Sequence, residues 1–224
     1  MKLSQQTLAL LKNFSAINSN IFIKAGSKIQ TLSVVGNALA SATVEEEFER
    51  DISIYDLGEL LSVLNIAPDG DVTLSENYLT VKWNRSKVKY AYADTILMRD
   101  AVAAAEKQVK FPETDVEFTL TSEMLVNIHK SSSILKAGYL SVFSENGKVA
   151  LKVFDKGNIN SNSFIIDVDV ETNLDFEAIL DITNLKLLAG NYNVSISKRN
   201  ISRFVNVDQD VTYYLTLDVS SSFK

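Results

Sequence analysis

Residues 70–75 read GDVTLS, and residues 190–195 read GNYNVS. Both run glycine, small polar, apolar or aromatic, polar, aliphatic, serine. The segments downstream of each copy are also alike: YLTVKW and KVKYAYA after the first, ISRFVNV and TYYLTLDV after the second, all alternating as half-buried strands do. The upstream segments match too. DISIYDLGELLSVL at 51–64 and FEAILDITNLKLLA at 176–189 each run from a strand into a short helix. A shift of 125 sets Asp56 on Asp181, Leu57 on Ile182 and Leu60 on Leu185. Both aspartates stand where a helix N-cap accepts orphan backbone N–H groups.

Nearer the start of each half the correspondence continues. NIFIKAGSKIQTLSVVG alternates around Gly26, and YLSVFSENGKVALKVFD alternates around Asn146–Gly147, so each predicts a hairpin. Before these lie LSQQTLALLKNFSAI at 3–17 and TSEMLVNIHKSSSIL at 121–135. At 3.6 residues per turn, Leu3, Leu10, Leu11, Phe14 and Ile17 share one face of the first, with Gln5, Ala9, Lys12 and Ala16 opposite. A shift of 118 carries Ser4, a predicted N-cap, to Ser122, Lys12 to Lys130 and Leu10 to Ile128. The order helix, strands, short helix, strands therefore occurs twice, and loop insertions account for the drift between the two shifts.

This pattern predicts an α+β chain of two tandem domains, 1–108 and 109–224, each with two helices packed on antiparallel sheet. The seam is TILMRDAVAAAEKQVKFP at 95–112. Its composition suits a helix over AVAAAEKQVK, but its position makes about 95–110 an interdomain connector, with Ile96, Leu97 and Met98 as apolar anchors on a surface.

Composition narrows the function. Of 224 residues, 46% are hydrophobic and 22% charged, enough to bury real cores, and no apolar run reaches membrane-spanning length. The N-terminal MKLSQQTLALLKNF lacks a small-residue cleavage site and reads as a retained helix, which sets the expectation of an intracellular protein. There are no cysteines, so disulfides, thiolate metal sites and cysteine nucleophiles are excluded. The sole histidine, His129, has no companions for a metal or a nucleophile–base pair, and the acidic EEEFE at 45–49 reads as a solvated loop. No phosphate-cradling glycine loop or zinc motif occurs. Neither catalytic residues, a metal nor a cofactor is expected, and the protein is not expected to be an enzyme. A net charge of −6 argues against an open, tight nucleic-acid binder, though not against one that segregates a few lysines on one surface.

MKLSQQTLALLKNFSAINSNIFIKAG at the N-terminus, SIYDL at 53–57, FP at 111–112 and AGNY at 189–192 resemble the DNA polymerase sliding clamps of T-even-type phages. The likeness is densest in the first 26 residues, while the element order spans the whole chain. It implies a homotrimeric closed ring of processivity-clamp domains, sheets outside and helices lining a channel around duplex DNA, acting in the host cytoplasm. The implied partners are non-specific duplex DNA, the replicative DNA polymerase, an ATP-dependent clamp loader and further copies of the chain, with a role in late transcription as well. Lys12 and Lys130, with Lys2 and Lys136, become the candidate DNA contacts. The polymerase pocket, which clamps place between the domains beneath the connector, draws its candidates from Tyr90, Tyr92, Leu97, Met98, Leu187 and Leu188. Glu59 fits poorly, because the polar side of its helix is the one the family turns toward DNA. Either it points to the rim or the channel is less basic than expected. The competing reading is a phage tail or baseplate protein of duplicated β-rich domains, and a weaker one an unrecognised enzyme.

Overall fold

Ser4 stops the chain in extended geometry, and its side chain accepts from Thr7 N, opening α1 (Gln5–Ile17). The computed structural model describes residues 1–158 and 160–224. These fall into two compact units, Met1–Val109 and Lys110–Lys224. The first continues with β1 (Ile21–Ile23), β2 (Gly26–Leu32), β3 (Ala38–Phe48), β4 (Ile52–Ile54), α2 (Leu57–Ile66), β5 (Asp71–Leu74), β6 (Tyr78–Trp83), β7 (Ser86–Ala91), a 3-10 turn (Thr95–Met98) and α3 (Arg99–Glu106). The second holds β8 (Val116–Leu120), α4 (Ser122–Leu135), β9 (Tyr139–Glu145), β10 (Lys148–Phe154), β11 (Phe164–Glu171), β12 (Phe176–Asp181), a 3-10 turn (Ile182–Asn184), β13 (Tyr192–Ser197), β14 (Ile201–Asn206), β15 (Val211–Thr216) and β16 (Ser222–Phe223).

All pairing within the units is antiparallel. In the first, β1 pairs with β4, β2 with β3, and β5–β6–β7 form a meander. In the second, β13–β14–β15 form the matching meander with β8 beside β13, and β9 lies between β10 and β12. The apolar stripe of α1 is buried at Leu10, Leu11, Phe14 and Ile17, and α2 adds Leu57, Leu60 and Leu64. On α4 the stripe thins to Leu125, Ile128 and Ser131, whose hydroxyl donates to the Ile128 carbonyl.

The two opening glycines recur for a steric reason. Each stands where the chain passes tight against the middle strand of its meander. A Cβ on Gly70 would lie 2.7 Å from Val81 Cγ1 of β6, and one on Gly190 would lie 2.6 Å from Asn206 Nδ2 of β14. Only glycine fits either place.

Several expectations need correction. Gly26 (φ 116) does not turn a hairpin: β1 and β2 take different partners, and the reversal comes at Ser33–Gly36, where Gly36 N donates to Ser33 O. Asn146 (φ 53) and Gly147 (φ 78) do turn one, with the positive φ at both positions that a two-residue hairpin of primed type demands. The second short helix is only the turn Ile182–Asn184. Asp181 still caps it through Thr183 N, but the chain beyond is drawn off by Tyr213, whose hydroxyl accepts from Leu188 N. The cap of α4 is Thr121, not Ser122. Within the connector the alanine-rich stretch keeps its helical preference as α3 and buries Ala101 and Ala104. Gln30 Nε2 closes that helix by donating to the Ala104 and Lys107 carbonyls. The EEEFE run is largely strand, because β3 extends through Phe48.

Candidate nucleic-acid and partner interfaces

A groove of about 570 Å³ runs between α1 and α2. Its walls are set by helical spacing: Gln5, Lys12 and Ser15 come from one helix, Gly58, Ser62 and Asn65 from the other. Lys12 is exposed, and among the described residues no carboxylate lies within ion-pair distance of it. A flexible cation beside hydroxyls and amides, with no acid to neutralise it, can bind a phosphate backbone without reading bases. Glu59 is not among the groove's lining residues. It stands on the other flank of α2, beside Tyr90. Burial, then the Glu59 charge, pushes the Tyr90 hydroxyl up to about 12.

Lys2 is exposed just ahead of α1. In the second unit Lys130 is exposed on α4 one turn from both Val126 and Ile134, which are themselves exposed. Lys136 ends α4 in left-handed geometry (φ 53), with its side chain in solvent. Each unit thus carries two of the four predicted cations. His129 is likewise exposed on α4; desolvation lowers its pKa against an opposing bond to the Leu185 backbone, and no cluster of metal-ligating groups occurs among the described residues.

A second groove, of about 460 Å³, lies in the first unit. Leu97 and Met98 line it together with Asn18–Asn20, Val34 and Val35. Leu97 is 70% exposed, Val34 88% and Val35 78%, so an apolar rim faces water. Met98 is not a surface anchor. At 1% exposure it packs with Phe22 and Ala101 and forms the groove's floor. Val34 and Val35 escaped the sequence reading because VV before glycine passes for the end of a strand, whereas it is the tip of a hairpin. The signal was there: two β-branched residues in a turn have no core to enter.

The remaining predicted pocket residues lie elsewhere. Tyr90 and Tyr92 are half-buried at the end of β7 and just beyond it, where they fasten the strand: the Tyr90 hydroxyl donates to the Asp56 carbonyl (3.0 Å), and Tyr92 N donates to the Asn77 carbonyl (3.0 Å). Neither lines the Leu97 groove. Leu187 and Leu188 are half-buried in the second unit. Their loop is held by Tyr192, which donates to the Leu188 carbonyl at 2.7 Å and meets Tyr213 edge-on at 6.1 Å.

Known proteins resemble this chain in sequence or in fold. The family model described as DNA polymerase processivity factor matches residues 2–99. The chain is 32% identical over 214 residues to the sliding clamp of Vibrio phage KVP40, covering 92% of this chain and 95% of that one. To the sliding clamp of Enterobacteria phage T4 it is 28% identical over 233 residues, covering 99% of both. Among solved structures it superimposes on A. fulgidus PCNA bound to the C-terminal region of FEN-1, with a TM-score of 0.69, 13% identity and coverage of 99% and 98%. At that identity the likeness speaks for the fold alone.

Proposed function

This chain belongs to the phage sliding-clamp family of DNA polymerase processivity factors, and from that premise we propose that it encircles duplex DNA as a head-to-tail homotrimer and holds the replicative polymerase to its template. The observation that carries the reading is the end-to-end match to the KVP40 clamp, which leaves little of either chain unaccounted for. Processivity so achieved is an effect of effective concentration: a polymerase tethered by the ring rebinds the primer before it diffuses away. The work involves no bond making, and no catalytic group is assigned.

A ring of this kind must grip DNA weakly. Each lysine–phosphate contact releases counterions and adds about −0.9 to the salt slope of duplex binding, so a sparse set permits sliding. We assign that set to Lys12, in the groove between α1 and α2, with Lys2, Lys130 and Lys136. The Leu97 groove is assigned to a short apolar tail of the polymerase, with Val34 and Val35 as its far wall. In the A. fulgidus complex, too, the C-terminal region of a partner is what the PCNA holds. An ATP-dependent loader opens the ring at a primer terminus in the cytoplasm of the infected host, and late transcription draws on the same loaded ring.

The test is primer extension on a circular template at limiting polymerase. Adding this protein with loader and ATP lengthens the products. Products of unchanged length remove the proposal.

A further inference from the structure

Three stretches of the first unit wall the Leu97 groove. They are residues 18–20, just past α1; residues 32–36, where β2 ends and its hairpin turns; and the stretch 97–103, which runs from the connector into α3. Two of the three are loops, and a loop keeps one shape only where something holds it. Here each stretch is tied to both of the others, and every tie is a carboxamide side chain.

Gln30 ties the strand wall to the helix wall. It is 3% exposed on β2, and its Nε2 donates to the Ala104 carbonyl and, at 2.8 Å, to the Lys107 carbonyl at the end of α3. Both hydrogens of the amide nitrogen are thus used, on carbonyls that a helix end otherwise leaves to water. Two residues further along the same strand comes Leu32, where the groove wall begins. Asn18 ties the end of α1 to that wall, its Nδ2 donating to the Leu32 carbonyl at 2.9 Å. Asn20 ties the end of α1 to the floor: its Nδ2 lies 3.7 Å from Met98 Sδ, and its N–H donates to Asn18 Oδ1 at 3.0 Å. The hairpin tip is fixed within itself, since Ser33 Oγ accepts from the Asn37 and Ala38 N–H groups. Asn18 and Asn20 line the groove, whereas Gln30 is buried behind it and lines nothing.

We propose that Gln30 is a positioning residue for partner docking: by fixing α3 against β2 it holds the groove at its docking width before any peptide arrives. The proposal rests on the reading of this groove as the seat of the polymerase tail. A site already in its bound shape spends no binding energy on ordering its own walls. With the tie cut, the groove has that shape only part of the time, and apparent affinity falls by that fraction. Gln30 touches no peptide, so its loss removes no contact from the complex. The penalty therefore falls on the association rate. Loss of a rim contact such as Leu97 falls instead on dissociation, as most interface substitutions do.

Two variants of the full chain test this: Gln30→Met, of similar length but without a donor, and the milder Gln30→Asn, an amide one methylene short. Urea melts establish which are folded, and either one suffices. Methyl relaxation dispersion on the free protein reads exchange at Val34, Val35, Leu97 and Met98. Stopped-flow mixing with a labelled synthetic copy of the polymerase's C-terminal tail reads the two rates. Wild-type methyls are quiet, and those of the variants exchange. Association of the tail slows by at least about fivefold in the variants while dissociation stays within about twofold. Leu97→Asp, in contrast, speeds dissociation. A folded variant with quiet methyls, with wild-type association, or with its whole defect in dissociation overturns the role of Gln30, while a slower or weaker Leu97→Asp keeps the groove reading standing. Equal binding of the tail by wild type and Leu97→Asp fails the groove reading itself, and the docking role of Gln30 falls with it.

Discussion

Glu46 shows how one side chain ties strand to helix. From β3 it reaches the opening of α1, where its carboxylate accepts from Ser4 N and, at 2.5 Å, from the Thr7 hydroxyl. Burial pulls its pKa up, but these bonds hold it below the ordinary value of 4.5. A carboxylate so depressed stabilises the fold above its unfolded pKa and loses that contribution as pH falls through the folded one. Glu46→Ala leaves the Ser4 N–H unpaired and is expected to cost about 1–3 kcal/mol, read by urea unfolding at neutral pH. Asp218 obeys the same sign: its bonds from Lys156 and Ser220 depress it from 3.8 to about 2. The stability gap between wild type and Asp218→Asn is therefore expected to be full at pH 6 and to close as pH falls from 3.8 toward 2. A gap that persists at the acid end would mean the ion pair is not its source. The caps at Ser4, Asp56 and Asp181 are legible in the sequence because a cap and its helix are neighbours along the chain. Glu46 is not, since its partners lie 42 and 39 residues away and only folding brings them together.

Elements whose periodicity agrees with their composition are legible: α1, α4 and both meanders. Sequence and structure part where a local preference competes with position. The place of α3 in the chain argues for a connector, yet alanine propensity prevails, and the helix holds Met98 under the exposed groove. Analogy with α2 argues for a second short helix, but Tyr213, 25 residues away, and Tyr192, just past the loop, take its backbone. The groove proposed for a partner is half legible. Leu97 and Met98 stand out in the connector, while Val34 and Val35 belong to a hairpin tip whose place opposite them no pattern announces. Asp at either rim position would put a charge against the proposed apolar tail. Leu97→Asp and Val35→Asp are each expected to weaken binding of a polymerase tail peptide by about 10–100-fold, the loss of one buried aliphatic contact, with loading on DNA intact. Isothermal titration measures it, and full affinity in both variants would move the peptide elsewhere. On α1, Lys12→Glu is expected to reduce loading on primed DNA without altering oligomer mass; unchanged loading would make Lys12 a bystander.

At the scale of the whole molecule the question is how DNA is retained and released. A chain of net charge −6 has no overall attraction for DNA, and on the ring reading proposed above its retention is topological. The duplication within the chain is visible in its glycines and caps, but the number of chains in a ring is a property of surfaces that no single chain's pattern contains. A topological tether has two exits: off a DNA end, or through an opened seam. On a linear duplex both are available, whereas on a closed circle only the second is. At one fixed ionic strength, loaded protein should therefore leave linear DNA faster than circular DNA of the same length, and capping the ends with bulky proteins should abolish the difference. Loss from circles and lines at equal rates would mean that the protein binds DNA from outside.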